Sequence, residues 1–213
     1  MIDSKCAGGD EVRMKLGVGL AAVVMLFVFS APAQGQVAWE SPILVSPSTP
    51  AGWGVYLVDP HPGSGIGVLS TFRGSDGPGV GYRVGLGEDR SGSLAVSGGV
   101  DISGMFLRQS PDFPLDVIWV SGLGVSIGDR ALISAPFGVS LGRALETDGV
   151  WFNPYVAPRV VLDASFGSGS DLQLGVAVDL GIDVSFEPGW AIRFGGTLGD
   201  RSALAIGMSF RVF

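Results

Sequence analysis

Charge and cysteine are both scarce in this chain of 213 residues, and lysine disappears from it after Lys15. Charged side chains make up 15% of it, against about 25% in an ordinary domain, and acidic groups outnumber basic ones by 20 to 13. A nucleic-acid surface needs a basic stripe, so nucleic acid is not an expected partner. The one cysteine, Cys6, precedes the first apolar run, which leaves the rest of the chain without disulfides or thiolate metal sites. After that first run no stretch of 18 apolar residues occurs, so a helical membrane span is excluded. What the chain has instead is 35 glycines and a 46% hydrophobic content. Such apolar content excludes intrinsic disorder, and the glycines lack the three-residue period of collagen.

The N-terminus reads as an address. Lys15 gives a positive start, Leu16 to Phe29 an apolar run, and Ala31-Pro-Ala33 or Ala33-Gln-Gly35 a small-residue cleavage site. That is the layout of a secretory signal peptide, assigned to residues 1–35, with Met14 as an alternative start. About 14 apolar residues fall short of the roughly 20 that a spanning helix needs. Residues 36–50, rich in proline and serine, read as an extended periplasmic lead-in to a single domain over 51–213.

That domain alternates with period two. From Leu172 to Phe186 the even positions are all apolar (Leu172, Leu174, Val176, Val178, Leu180, Ile182, Val184, Phe186), whereas the odd ones are Gln, Gly, Ala, Asp and Ser. Successive side chains of a strand point to opposite faces, so this is a strand with one wholly apolar face. The pattern recurs in Val80/Tyr82/Val84/Leu86, Leu94/Val96/Val100/Ile102, Val117/Trp119/Leu123/Val125, Ile133/Phe137/Val139/Leu141, Trp190/Ile192/Phe194 and Leu204/Ile206/Met208/Phe210/Val212. Turn residues such as Gly74-Ser-Asp-Gly-Pro78, Thr147-Asp-Gly149 and Glu187-Pro-Gly189 separate the runs. Strands are expected near 52–58, 65–73, 79–87, 92–106, 115–127, 130–143, 150–165, 171–186, 189–198 and 201–213.

The second face decides the class. A soluble sheet would carry Lys, Glu, Gln and Thr there, but this face is mainly Gly, Ala and Ser with Asp and Arg at intervals. Small residues suit the inside of a narrow closed barrel, and the apolar face then turns outward, where lipid tolerates it. The fold class expected is therefore all-β, a closed antiparallel up-and-down transmembrane β-barrel of ten strands, with eight as the alternative. The signal peptide, the alternating hairpins and Phe213 together resemble the small outer-membrane β-barrel proteins of Gram-negative bacteria. This resemblance implies outer-membrane lipid and the barrel-assembly machinery as partners. Phe213 departs from the pattern, because the outward residues of the last strand are even-numbered.

By parity the inward charges are Arg73, Arg83, Arg159, Arg193 and Arg211 against Asp101, Asp116, Asp163, Asp179 and Asp183, five of each sign. Buried charges survive when paired, so this balance predicts a neutralised, side-chain-filled lumen. Phe72, Phe106, Phe113, Trp151, Phe152, Phe186, Trp190 and Phe213 cluster near the turns at 74–78, 107–114, 144–149 and 187–189, as an interfacial aromatic girdle would. Those turns are then periplasmic. The function expected is a structural or envelope role, with a narrow channel for small solutes as a further activity. The alternative is a lipid- or peptide-hydrolysing enzyme using His61, the one histidine, with Asp59 nearby as partner. Phosphate loops, nucleophile elbows and metal-binding motifs are absent from the sequence, and neither a metal nor another cofactor is expected.

Overall fold

The computed structural model describes residues 39–60, 65–88, 94–128, 131–166 and 170–211. Residues 1–35, read above as a signal peptide, lie outside these, as do His61 and Phe213. Strands form wherever the sequence alternates: β1 (Gly52–Asp59), β2 (Gly67–Arg73), β3 (Val80–Glu88), β4 (Leu94–Leu107), β5 (Asp116–Ile127) and β6 (Ala131–Gly142), followed by β7 (Leu145–Thr147), β8 (Val150–Phe166), β9 (Asp171–Glu187), β10 (Trp190–Gly199) and β11 (Ala203–Arg211).

Every neighbour pairs antiparallel in the order β6-β5-β4-β3-β2-β1-β11-β10-β9-β8, and β6 pairs with β8 to close the ring. The wall thus has ten strands. Short β7 folds back on the start of β8 through Asp148 (φ 51) and Gly149 (φ 78). Both residues take the positive φ that a tight two-residue hairpin requires, and Asp-Gly is the pair that tolerates it most readily.

Alternation in sequence becomes alternation in exposure. In β3 the outward Val80, Tyr82, Val84, Leu86 and Glu88 are exposed and the intervening residues are buried. Two proline positions interrupt the ladders. The β5–β6 ladder has a gap between Ser121↔Phe137 and Gly124↔Ser134, around Pro136, and the β6–β8 ladder one between Gly138↔Arg159 and Leu141↔Val156, around Pro158, with the register unchanged across each. Proline has no N–H to give to a ladder, so β6 is interrupted on both of its sides.

The core corrects one expectation. Residues 39–50 are no periplasmic lead-in; they run through the lumen. Trp39, Glu40, Ser41, Ile43, Leu44, Val45, Ser46 and Thr49 are all buried, and Trp39 has no exposed surface at all (0%). The segment descends to β1 at the barrel end that carries the 74–79 turn, where the Gly77 N–H donates to Thr49 O (2.7 Å). Its apolar side chains explain why it leaves water. Fully burying one such side chain contributes about 1.5–3 kcal/mol, and here four lie within seven residues: Trp39, Ile43, Leu44 and Val45.

Candidate functional site in the barrel lumen

Arginine–aspartate pairs line the wall around this segment. Arg73 of β2 pairs with Asp101 of β4, Arg193 of β10 with Asp183 of β9, and Arg201 of the β10–β11 turn with Asp163 of β8, all with buried side chains. Arg159 of β8 brings Nε within 2.9 Å of Asp179 Oδ2, off hydrogen-bond alignment, while its Nη2 donates to Asp179 Oδ1 (3.2 Å). Thr197 Oγ1 also donates to Asp179 Oδ1 (2.7 Å) and Ser134 Oγ to Asp163 Oδ1 (2.5 Å). Each carboxylate therefore keeps a cation, and Asp179 and Asp163 keep further donors, the condition under which a buried charge is tolerable.

Three arginines have donors left over, and they give them to the backbone of the segment. Arg83 Nη2 donates to Ile43 O (2.5 Å) and its Nη1 reaches Ser41 Oγ (3.4 Å) and Pro42 O (3.5 Å). Arg159 donates to Trp39 O (2.9 Å) and Ser41 O (3.2 Å), and Arg193 to Leu44 O (3.1 Å). In return the Ile43 N–H donates to Asp179 Oδ2 (2.9 Å). A chain that pairs with no strand still needs partners for its buried carbonyls. Five guanidinium N–H groups per arginine let one side chain serve a carboxylate and a carbonyl together.

Shape fits as well. A Cβ on Gly122 would stand 2.9 Å from Trp39 Cζ2, and one on Gly124 would stand 2.5 Å from Trp39 Nε1. Glycine on the inner face of β5 is thus what admits the indole, and the Arg83 guanidinium covers its other side at 3.8 Å. Ile43 and Val45 join Trp39 against Ile118, Val120 and Val161, while Leu44 packs with Tyr56, Val58, Leu69 and Ala205. Leu44 has φ 57, which a bulky residue rarely adopts. Holding it there costs of order 1–3 kcal/mol, and the arginine and aspartate bonds on both sides impose it.

Eight of the ten inward charges read from parity are buried here. The other two sit at the rim: Asp116 accepts from the Gln109 N–H (2.9 Å), and Arg211 pairs with Asp76 in the 74–79 turn. Asp76 also accepts from the Ala51 N–H (2.7 Å), and that bond, opposed by partial burial and aided by Arg211, holds its carboxyl below the ordinary value of 3.8. Arg201 is missing from the sequence reading although it opens the strand expected over 201–213 with inward, odd parity; the structure places it just before β11, paired with Asp163. The inward Ile118, Val120 and Val161 were that reading's missed clue, since an apolar patch inside a barrel needs something apolar to cover it. Among the described residues no three His, Cys, Asp or Glu side chains gather as a metal site.

Aromatics crowd the end where β1 starts and β11 finishes. Register aligns Trp190, Phe210, Trp53, Phe72 and Tyr82 across five neighbouring strands. Trp53 and Phe72 lie 4.8 Å apart, Phe72 and Tyr82 6.5 Å, and Phe186 and Trp190 6.1 Å. Trp53, Tyr82 and Phe210 belong to this belt although only their neighbours were expected in it. Phe106, Phe113 and Phe186 are exposed at the same end, and Phe152 is half-buried there. Trp151 differs from the expectation. It shares parity with the inward Asn153 and Tyr155 and lines a cavity of about 610 Å³ at the barrel mouth, beside Pro47 and Arg211.

Above that belt the outer wall is mainly aliphatic: Leu57, Val84, Leu86, Val96, Leu123, Leu174, Leu180 and Ile206 are all exposed, with Phe137 and Phe194 among them. An apolar face continued around a closed ring, with its small and charged residues turned inward, is stable only in hydrocarbon. The wall is that of a membrane β-barrel. No family model matches the chain, and no curated protein matches it. It is similar to a solved structure described as "De novo design of transmembrane beta-barrels", with 15% identity, a TM-score of 0.37, and coverage of 77% of this chain and 98% of that one.

Proposed function

We propose that this barrel resides in the outer membrane of a Gram-negative envelope, where it serves a structural role with its lumen occluded at rest by residues 39–50. The observation that carries this reading is the filled lumen: the segment's carbonyls are held by Arg83, Arg159 and Arg193, and its side chains by two apolar clusters. Supporting it are the apolar wall and the aromatic belt, which sits at the periplasmic interface in this reading. Outer-membrane lipid is then the partner of the wall, and the barrel-assembly machinery the partner during insertion. The role is non-enzymatic.

The test is reconstitution of the intact chain in planar bilayers together with membrane fractionation. The expected result is recovery with outer-membrane markers and a quiet bilayer. Discrete conductance steps from the intact chain would replace the structural role by an open channel, and recovery in the aqueous fraction would sink the reading altogether. A lipid A profile that changes on overexpression, and reverts in His61→Ala, would make the chain an enzyme.

A further inference from the structure

We infer that the lumen is an anion passage which residues 39–50 close, and that Arg83 sets its selectivity. This rests on the membrane-barrel reading above and adds an activity to it. The argument starts from an asymmetry among the buried arginines. Arg73, Arg159, Arg193 and Arg201 each have a wall aspartate: Asp101, Asp179, Asp183 and Asp163. Arg83 has none among the described residues. Its hydrogen bonds among those residues go to Ser41, Pro42 and Ile43, and its guanidinium lies over Trp39. These hydrogen-bond partners all belong to the segment and are neutral groups.

Among the described residues, withdrawing the segment leaves four Arg–Asp pairs on the wall and Arg83 with no ion pair of its own. Glu40, buried on the segment, leaves with it and takes negative charge out of the lumen. A buried arginine stripped of its acceptors demands water and an anion, and a ring of wall with one uncompensated positive charge favours anions over cations. Width is not limiting. The bore already holds an extended chain with its side chains, and such a chain occupies on the order of 5 Å by 10 Å in packed sheets.

The closure is also reversible in character. It uses no strand pairing, and its carbonyl bonds reach the wall through flexible arginine side chains. Trp39 Nε1 and Arg83 Nε are buried without a hydrogen-bond partner among the described residues, and Leu44 is held at φ 57. The bound form is thus not the relaxed form of the segment, and nothing covalent retains it.

The experiment compares locked and loosened chains in planar bilayers under a potassium chloride gradient. Pro42 Cβ lies 3.3 Å from the Cβ that Gly195 would carry, close to the roughly 3.5–4.5 Å of a disulfide. A Cys6→Ser chain with Pro42→Cys and Gly195→Cys, oxidised, locks the segment and is expected to be silent. Trp39→Ala, or a chain lacking residues 39–48, loosens it and is expected to show conductance steps with a chloride-to-potassium permeability ratio above one. Adding Arg83→Gln to either loosened chain brings that ratio to one, because the four pairs that remain are neutral. If both loosened chains insert with the strand content of the intact protein and stay silent, the passage does not exist. If they conduct with a ratio that ignores Arg83→Gln, the selectivity assignment is wrong. Failure of the locked chain to insert at all would overturn the membrane reading, and this inference with it.

Discussion

Asp179 shows how much a single buried side chain organises here. One carboxylate receives Arg159, Thr197 and the Ile43 N–H, and so joins three strands, β8, β9 and β10, to the segment they surround. Removing its cation leaves an uncompensated charge in a place without water. Arg159→Met is expected to cost about 3–5 kcal/mol, because a broken buried pair loses its attraction and keeps its desolvation penalty. Replacing both partners, Arg159→Met with Asp179→Leu, is expected to cost less than the sum of the single changes, as read by urea unfolding from vesicles in a double-mutant cycle. Asp76 is the opposite case, an exposed carboxylate at the rim. The Ala51 N–H and then Arg211 lower its pKa on folding, so its contribution is present above the unfolded value and fades as pH falls through the folded one. The stability difference between the protein and Asp76→Asn should accordingly be small at neutral pH, shrink in acid below pH 3.8, and shrink with added salt.

At the scale of elements, β6 is interrupted on both of its sides, since gaps around Pro136 and Pro158 lie in its two ladders. Amides near Val139 and Ser140, at the gap in the β6–β8 ladder, should exchange with solvent deuterium faster than those of Leu180 and Ile182, which are paired on both sides. Uniform exchange along β6 and β9 would contradict this. Strands were the legible part of the sequence: in β3 and β9 the period of two marks both the element and its outward face, and the ends fall within a residue or two of those expected. Residues 39–50 were misread for a physical reason. A segment surrounded on all sides has no face to alternate, so Trp39-Glu-Ser-Pro-Ile-Leu-Val45 carries no period, and proline and serine look the same in water as in a bore lined with arginine. Its apolar content, in a stretch expected to lie in water, was the signal that contradicted the expectation. Trp151 misled for a related reason, because near a barrel mouth an aromatic can face the lumen or the interface with the same composition around it.

On the scale of the whole molecule, the ordering is inverted relative to a soluble protein. Charge and hydrogen bonding fill the interior, and the aliphatic surface is outside. The scarcity of charge follows, since a membrane wall has one face on which charge is admissible, and on that face four of the five buried arginines stand beside an aspartate and the fifth, Arg83, is held by the segment. Depth should therefore decide what the outer wall accepts. Ile206 and Phe210 both point outward from β11, but Phe210 lies in the aromatic belt and Ile206 four positions further along the wall. A charge near the middle of the hydrocarbon costs about 2–4 kcal/mol, whereas at the interface it can reach water and costs about 0–1. Ile206→Arg should consequently lose about 2–4 kcal/mol of folding free energy into lipid vesicles, and Phe210→Arg appreciably less once its lost ring contacts are matched by Phe210→Ala. Equal losses at the two depths would mean that the outer wall does not lie across a bilayer, because in water the two substitutions meet the same solvent and no gradient of cost can arise.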